Sequence, residues 1–326
     1  MKTISCMKRS QQVFLFVTGI LALLILTNCE KEIILDIPPP EPKIVVEARI
    51  ETNGQPTVVL NRNFPYFGQI TATQYAANYV HNAVVVVSDG EKQVTLPEIC
   101  WSKLSDFEQE LLAKQFGITI DSLPSGFDLC VYAEFSPNPT LKGENGKTYT
   151  LNIYTQEGDT LTSLTTIPYP VAIDSFWLEK HKDPKYADSL RRVLIQFKDP
   201  DTLGNYYRLF TNYNNQGYLT NFSSVSDDLF INGKSFFFPA NKAEARNSSD
   251  EIDPDTFGYC KIGDTLKVKF CTIDYANYLF LNTLEYSANS NGPMGAPVNI
   301  KHNVKNGLGT FTGYCVGSEI DVYIDK

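Results

Sequence analysis

The residues that could perform acid–base chemistry are few and widely spaced in this chain of 326 residues. Its three histidines, His81, His181 and His302, each lie in a polar stretch of loop-like composition. A catalytic serine in a Gly-x-Ser-x-Gly turn is also missing from the sequence. Because catalysis needs groups of tuned pKa within reach of one another, the histidines are interpreted as surface residues. The sequence predicts a protein that is not an enzyme and assigns no catalytic residue.

Metal binding is the second chemistry that residue types could support. The segment 250–255 (DEIDPD) concentrates four carboxylates, whose hard oxygens are the ligands that calcium prefers. However, the segment lacks the alternating aspartates of a calcium loop, and Pro254 interrupts it. The cysteines show no Cys-x-x-Cys spacing of the kind found in zinc sites. We therefore favour a solvated loop and expect neither a metal nor a cofactor.

The strongest chemical signal belongs to Cys29, which follows an apolar run from Val13 to Leu26. Three basic residues precede this run: Lys2, Lys8 and Arg9. The run is too short to span a bilayer comfortably and is typical of an export signal. Leu26, three residues before Cys29, resembles the start of a bacterial lipoprotein box. Residues 1–28 are therefore predicted to be a cleaved signal peptide, and Cys29 the acylated (palmitate-bearing) first residue of the mature chain. An ordinary secretory signal is the alternative.

The residues after Cys29 indicate a cellular location and a spacer. Glu30-Lys31-Glu32 is a charged cluster directly after the anchor, resembling the surface-export signal of Bacteroidota lipoproteins. Four of the five residues from Pro38 to Pro42 are proline, which favours an extended, stiff polyproline spacer. Residues 29–42 are thus predicted to form a lipidated tether. The expected location is the cell outer membrane, lipid-anchored and facing the surface.

Charge excludes one class of partner. The formal net charge is −9, and loss of Lys2, Lys8 and Arg9 with the signal makes it −12. No basic stripe interrupts this acidic chain, so nucleic acid is not an expected partner. The 18 Tyr and 20 Phe residues, together with many short Val- and Thr-rich runs, indicate a β-rich body.

Five cysteines remain once Cys6 is removed and Cys29 is acylated. Disulfides are permitted outside the cytoplasm, and Cys100 and Cys130 are the favoured pair because they flank a single insertion. Closing that loop should stabilise the fold by about 3.5 kcal/mol in the chain-entropy model. The sequence leaves open how Cys260, Cys271 and Cys315 pair.

Short alternating runs with Gly and Asp turns predict antiparallel sandwiches rather than βα units. Residues 43–168 are predicted to form an N-terminal β-sandwich domain with a helical insertion at about 100–130. The two prolines in Ile167-Pro168-Tyr169-Pro170 break the last strand of this domain. Residues 171–326 are predicted to form a second β-sandwich domain with one longer helix, Asp274 to Asn289. The fold class is therefore mainly β, with two immunoglobulin-like antiparallel sandwiches.

Several segments together resemble a Bacteroidota lipoprotein family known as domain of unknown function 4249. They are Lys43-IVVEARI, Ala83-VVVVSDG, Gly146-KTYTLNI, Ile173-Asp174-Ser175, Asp199-Pro200, Asn205-Tyr206-Tyr207-Arg208, Gly263-Asp264-Thr265, Asn299 and Asn306-GLGTF. The order and spacing of these segments carry the resemblance, which extends over the whole mature chain. It implies an outer-membrane lipoprotein, often encoded beside a TonB-dependent receptor of the SusC-like kind. It implies no known catalytic residues.

Phe236-Phe237-Phe238 is the best pointer to a contact surface. Because side chains alternate along a strand, three consecutive aromatics cannot all face the core, so at least one must cover a neighbour or a partner. The leading functional hypothesis is an accessory subunit of a TonB-dependent nutrient transporter, whose nutrient the sequence does not name. A surface adhesin or structural module is the alternative, and a hydrolase with an unrecognised site is the third. The Asp-Ser/Thr-Leu triplets that begin at residues 121, 159, 188 and 264 resemble O-glycosylation signals.

Overall fold

The computed structural model describes residues 41–64, 71–116, 120, 123, 128–134, 136, 138–244, 253–290 and 298–326. The signal, Cys29 and the tether lie outside these ranges. Within them the chain is mainly β, with predominantly antiparallel strand pairs arranged in packed sheets. This confirms the predicted class, and it follows from the many short runs of β-branched and aromatic residues.

The strands have the following bounds in chain order. They are β1 (Ile44–Glu51), β2 (Thr57–Arg62), β3 (Val84–Ser88), β4 (Gln93–Leu96), β5 (Glu98–Cys100), β6 (Cys130–Ala133), β7 (Thr148–Tyr154), β8 (Thr160–Thr166), β9 (Ile173–Lys180), β10 (Leu190–Lys198), β11 (Tyr206–Tyr213), β12 (Val225–Asp227), β13 (Ser235–Ala240), β14 (Cys260–Lys261), β15 (Thr265–Ile273), β16 (Val304–Lys305) and β17 (Leu308–Tyr323).

In the described part of the chain three α-helices accompany the sheets: α1 (Ala72–Ala76), α2 (Asp106–Phe116) and α3 (Tyr275–Asn289). Helix α2 lies in the predicted insertion, and its start is fixed by the Ser105 backbone N–H, which donates to Glu108 Oε2 at 2.8 Å. Helix α3 begins after Asp274, whose side chain accepts from the Asn277 N–H at 2.9 Å. Among the described residues, no helix is both long and apolar enough to cross a membrane.

One long sheet organises the molecule. It has eight strands in the order β12-β11-β15-β17-β1-β2-β6-β5. Two smaller sheets accompany it: a five-stranded sheet, β16-β8-β7-β3-β4, and a four-stranded sheet in which β10 pairs with β9, β13 and β14. Strands of the long sheet thus come from both halves of the chain.

Each smaller sheet encloses a separate core with part of the long sheet. The first core joins β1, β2 and the start of β17 to the five-stranded sheet, through residues such as Val46, Tyr149 and Phe311. The second core joins β11, β15 and the end of β17 to the four-stranded sheet and includes Phe197 and Phe270. Burial of these apolar side chains is the main favourable contribution to folding.

Strand β17 connects the two cores. Its first residues pair with β1 in parallel, and its later residues pair with β15 antiparallel. The sequence predicts two closing strands here, whereas the structure has one strand of 16 residues. Gly309 and Gly317 make this course possible, because a Cβ would lie 2.0 Å from Val46 O at the first and 1.9 Å from Val171 O at the second.

The predicted domain boundary falls between β8 and β9, at the proline-containing connector. Strands β16 and β17 come from the second predicted range but supply Val304, Phe311 and Cys315 to the first core. The two cores correspond to the two predicted ranges except for this contribution. The division at 168–171 stays a prediction.

Candidate functional site

The three consecutive phenylalanines lie on β13, at the edge of the four-stranded sheet. Strand β13 pairs with β10 so that Phe238 lies opposite Ile195 and Phe237 lies opposite Gln196. Phe238 packs against the second core, whereas Phe237 points to the other face and is 53 % exposed. Phe236 lies opposite Phe197, on the same side of β13 as Phe238, but is itself 41 % exposed. Strand alternation thus accounts for the outward position of Phe237 and not for the exposure of Phe236.

Phe237 shares its outward face with residues of two other strands. The Trp177 ring of β9 meets the Phe237 ring edge-on, with centroids 4.7 Å apart. Leu194 of β10 lies opposite both Trp177 and Pro239, so these side chains also point outward. We call Trp177, Leu194, Phe237 and Pro239 the aromatic face. It is an apolar patch on the outer side of the four-stranded sheet, where polar side chains are the rule.

Two loops extend from the end of the same sheet and brace each other through buried carboxylates. Asp228 accepts hydrogen bonds from the Gly204 N–H at 2.8 Å and from the Asn205 N–H at 2.9 Å. Asp199 accepts from the Gly233 N–H at 3.0 Å and from the Tyr207 hydroxyl. Both carboxylates are buried, and burial raises the pKa of Asp199 above its ordinary value. The loops 199–205 and 228–234 are thus held in one arrangement.

These braced loops carry three large apolar side chains outward. Leu203 and Leu229 are each 65 % exposed, and Phe230 is 89 % exposed. We call these three residues the apolar loop tip. Apolar side chains at such exposure are unfavourable in a free protein, and loops held in one conformation lose little entropy on binding. The arrangement can therefore bind an apolar surface of a partner.

The sequence did not reveal the loop tip. Leu229-Phe230 is a single apolar pair in a polar turn, and such pairs also occur at the ends of ordinary strands. The available signal was the aspartate with which each loop begins, Asp199 and Asp228, since Asp side chains often fix turns. Their pairing across the two loops depends on the β10–β13 register, which only the folded chain provides.

A second group of polar side chains surrounds the predicted disulfide. Cys100 of β5 and Cys130 of β6 lie directly opposite each other and are joined by a disulfide. Glu98 lies two residues before Cys100 and so on the same face of β5, with its Oε1 3.7 Å from Cys100 Sγ. His81 Nδ1 lies 2.5 Å from Glu98 Oε1. Sequence analysis missed this convergence because His81 is distant from the cysteines along the chain.

Comparison with known protein families tests the resemblance. The family model described as "Domain of unknown function (DUF4249)" matches residues 30–320. The chain belongs to this family. The match covers every segment that carries the resemblance and begins directly after Cys29. No curated protein matches the chain significantly.

The three remaining cysteines of this DUF4249 chain are free and buried. Cys271 and Cys315 lie on neighbouring strands, but Cys271 packs under α3 while Cys315 lies in the first core. They point to opposite faces of the sheet, which prevents a disulfide between them. Cys260 lies in the second core, away from both. The sequence left open whether two of these three cysteines are joined. In the structure none of them forms a disulfide.

We expect these three thiols to be unreactive in the folded protein. Burial raises the pKa of both Cys260 and Cys271 to about 12, so these thiols stay protonated at pH 8. An aromatic disulfide reagent at pH 8 should modify none of them in the native mature chain and all three after unfolding in guanidinium chloride. Rapid modification of the native protein would contradict this burial.

The other residues singled out in the sequence lie apart from these groups. His181 Nε2 lies 2.7 Å from Asp255 O, and its ring packs on Tyr186 and Tyr259. His302 Nδ1 accepts from the Gly309 N–H at 3.0 Å, and burial lowers the pKa of this histidine. The three histidines thus lie in three different parts of the described structure.

The carboxylate segment and the glycosylation triplets are only partly described. Residues 250–252 of the segment lie outside the described residues, as do Asp121 and Ser122. Asp253 accepts from the Asp255 N–H at 3.0 Å, which is ordinary turn chemistry. The hydroxyl residues of the other triplets, Thr160, Ser189 and Thr265, are exposed, as glycosylation would require. Their modification stays a prediction.

Proposed function

We propose that this protein is a non-catalytic outer-membrane lipoprotein that serves as an accessory subunit of a TonB-dependent, SusC-like nutrient transporter. Acyl chains on Cys29 hold it to the membrane, and the body docks on the transporter. The observation that carries the proposal is the exposed apolar surface formed by the aromatic face and the apolar loop tip. Exposed apolar patches with this rigidity are typical of protein contact sites.

Strand direction supports a contact at the end of the long sheet where β1 begins. Strand β17 runs parallel to β1 and antiparallel to β15, and β15 runs antiparallel to β11. Strands β1 and β11 therefore run in the same direction. The chain enters β1 from the predicted tether, and loop 199–205 leads into β11. The apolar loop tip thus lies at the end of the long sheet at which β1 begins, and the proposed anchor precedes β1 in the sequence.

Charge supports a protein partner rather than an anionic lipid surface. The mature chain is predicted to carry a net charge of −12, and the loops of the tip contain Asp201 and lie beside Asp227. Anionic head groups would repel these carboxylates, whereas a transporter can place basic side chains around an apolar groove. In this arrangement the lipoprotein raises the local concentration of nutrient at the transporter entrance and makes or breaks no covalent bond.

Charge substitutions on this surface should test the proposal. Replacing Leu229 and Phe230 together by aspartate should reduce co-purification with a TonB-dependent receptor by about tenfold or more, since hot-spot residues dominate contact energies. The melting temperature should change little because both side chains are exposed. The measurement is affinity purification from outer membranes in mild detergent, with the receptor quantified by mass spectrometry.

Phe107 provides the matched control. It is 75 % exposed on α2, in the helical insertion, and Phe107→Asp should leave receptor recovery unchanged. Equal recovery with the Leu229/Phe230 variant and the wild type would reject docking through the tip. A wild-type lipoprotein that purifies without a receptor but binds glycans or host protein would support the adhesin instead.

A further inference from the structure

His81 and Glu98 lie beside the Cys100–Cys130 disulfide without being part of it. Together with the two cysteines they offer four ligand atoms to a metal ion. One ligand atom from each of His81, Glu98, Cys100 and Cys130 lies within 4.8 Å of the other three. Two thiolates, an imidazole nitrogen and a carboxylate oxygen are all zinc ligands, and zinc prefers four of them at the corners of a tetrahedron. With metal–ligand bonds of about 2.0–2.3 Å, the corners are about 3.3–3.8 Å apart. Small side-chain shifts would therefore bring the four ligand atoms to the spacing of a tetrahedral zinc site.

The residues that hold these ligands are fixed by the sheet. Cys100 and Cys130 are directly opposed on β5 and β6, so their sulfurs converge without any change in strand register. Glu98 shares the face of Cys100 because it lies two residues before it. Its second oxygen, Oε2, accepts a hydrogen bond from the Asn82 N–H at 2.8 Å. This bond orients the carboxylate and leaves Oε1 directed at His81 and Cys100, as outer-shell partners do at metal sites.

The cluster also has an access route. The cysteines are buried, but the His81 side chain is 46 % exposed, and its Nδ1 rather than Nε2 faces the other ligands. An ion can therefore approach from solvent along the histidine. Asn82 has a φ of 55°, a backbone conformation that asparagine tolerates, and this turn directs His81 towards β5.

We propose that Cys100, Cys130, His81 and Glu98 form a zinc site when the disulfide is reduced. A dithiol reductant is oxidised to its own disulfide and transfers two electrons and two protons to the Cys100–Cys130 bond, which breaks to give two thiols. Binding of Zn²⁺ then releases both thiol protons, and the ion is held by two thiolates, neutral His81 and the Glu98 carboxylate. The bound ion replaces the covalent link between β5 and β6, so the base of the helical insertion stays closed in a reducing environment.

Cobalt provides a direct test on the full mature chain in detergent. After anaerobic reduction by a phosphine, one equivalent of Co²⁺ should give the visible bands of a tetrahedral ion and a near-ultraviolet thiolate charge-transfer band. One equivalent of Zn²⁺ should abolish both. The oxidised chain should give neither band. Reduction should lower the melting temperature, and zinc should restore part of the loss.

Variants separate this site from the other thiols. His81→Ala should weaken cobalt binding at least tenfold, and the double variant Cys100→Ser/Cys130→Ser should lose the thiolate band. His302→Ala is the control, since this histidine lies outside the cluster, and it should bind as the wild type does. No thiolate band in the reduced wild type would overturn the proposal, as would a band that survives in the double serine variant or an unchanged affinity in His81→Ala.

Discussion

Replacing Gly309 by alanine is expected to lower the free energy of unfolding by about 3–5 kcal/mol. Gly309 has a φ of +94°, which L side chains rarely adopt, and an added Cβ would lie 2.0 Å from the backbone oxygen of Val46. Backbone cannot move aside as a flexible side chain can, so β1 and β17 would have to separate. Their parallel pairing lies beside the first core, and its loss would loosen the link between both halves of the long sheet.

Gly158 is the matched control for this substitution. Its φ is +96°, nearly that of Gly309, but no heavy atom lies within 4 Å of the position that a Cβ would take. Gly158→Ala should therefore cost only the backbone strain, about 1 kcal/mol. Urea unfolding of both variants gives the two losses, provided that the m-values agree. If both variants lose the same free energy of unfolding, the close approach of β17 to β1 does not add to the cost of the substitution.

Replacing Cys29 by serine should release the protein from the membrane. Each buried methylene of an acyl chain contributes about 0.8 kcal/mol, so several chains together anchor a protein that one chain would hold only weakly. The variant should lose its palmitate label and move from the membrane fraction to the soluble fraction. Metabolic labelling with palmitate, followed by fractionation, measures both effects in the same cells.

Cys6→Ser serves as the control because Cys6 lies in the predicted signal and is removed with it. That variant should be labelled and anchored as the wild type is. A Cys29→Ser protein that keeps its label and its membrane attachment would contradict the predicted lipid anchor. It would also contradict the proposed accessory role. If the Cys29→Ser protein is released, it can then show whether the apolar loop tip binds the receptor without the anchor.

Local sequence patterns were sufficient to predict most of the regular elements. Strands such as β1, β7 and β15 are alternating runs of β-branched and aromatic residues, and α3 starts at a capping aspartate. The short strands β5, β6, β12, β14 and β16 were not predicted, since two to four residues carry no period. The course of β17 was not predicted either, because its glycines resemble turn residues until β1 and the connector at Val171 pack against them.

The candidate sites, like the fold, were predictable where they depend on local sequence and not where they depend on tertiary packing. Alternation alone required that one of Phe236, Phe237 and Phe238 point away from the core, and the two cysteines flanking one insertion were a natural pair. The Trp177 contact with Phe237 and the convergence of His81 and Glu98 on the disulfide both depend on strand register. Register is set by the packing of whole sheets, and it brings together residues that are distant along the chain.

The sequence by itself determined the class of the fold, the predicted lipid address and the acidic character of this protein, because these depend on local composition and spacing. Only the tertiary structure decided which apolar side chains remain exposed, which cysteines stay free and which polar groups surround the disulfide. Exposure and contact are properties of packed surfaces, and they are fixed when β17 joins the two cores and the strands of each sheet take one register.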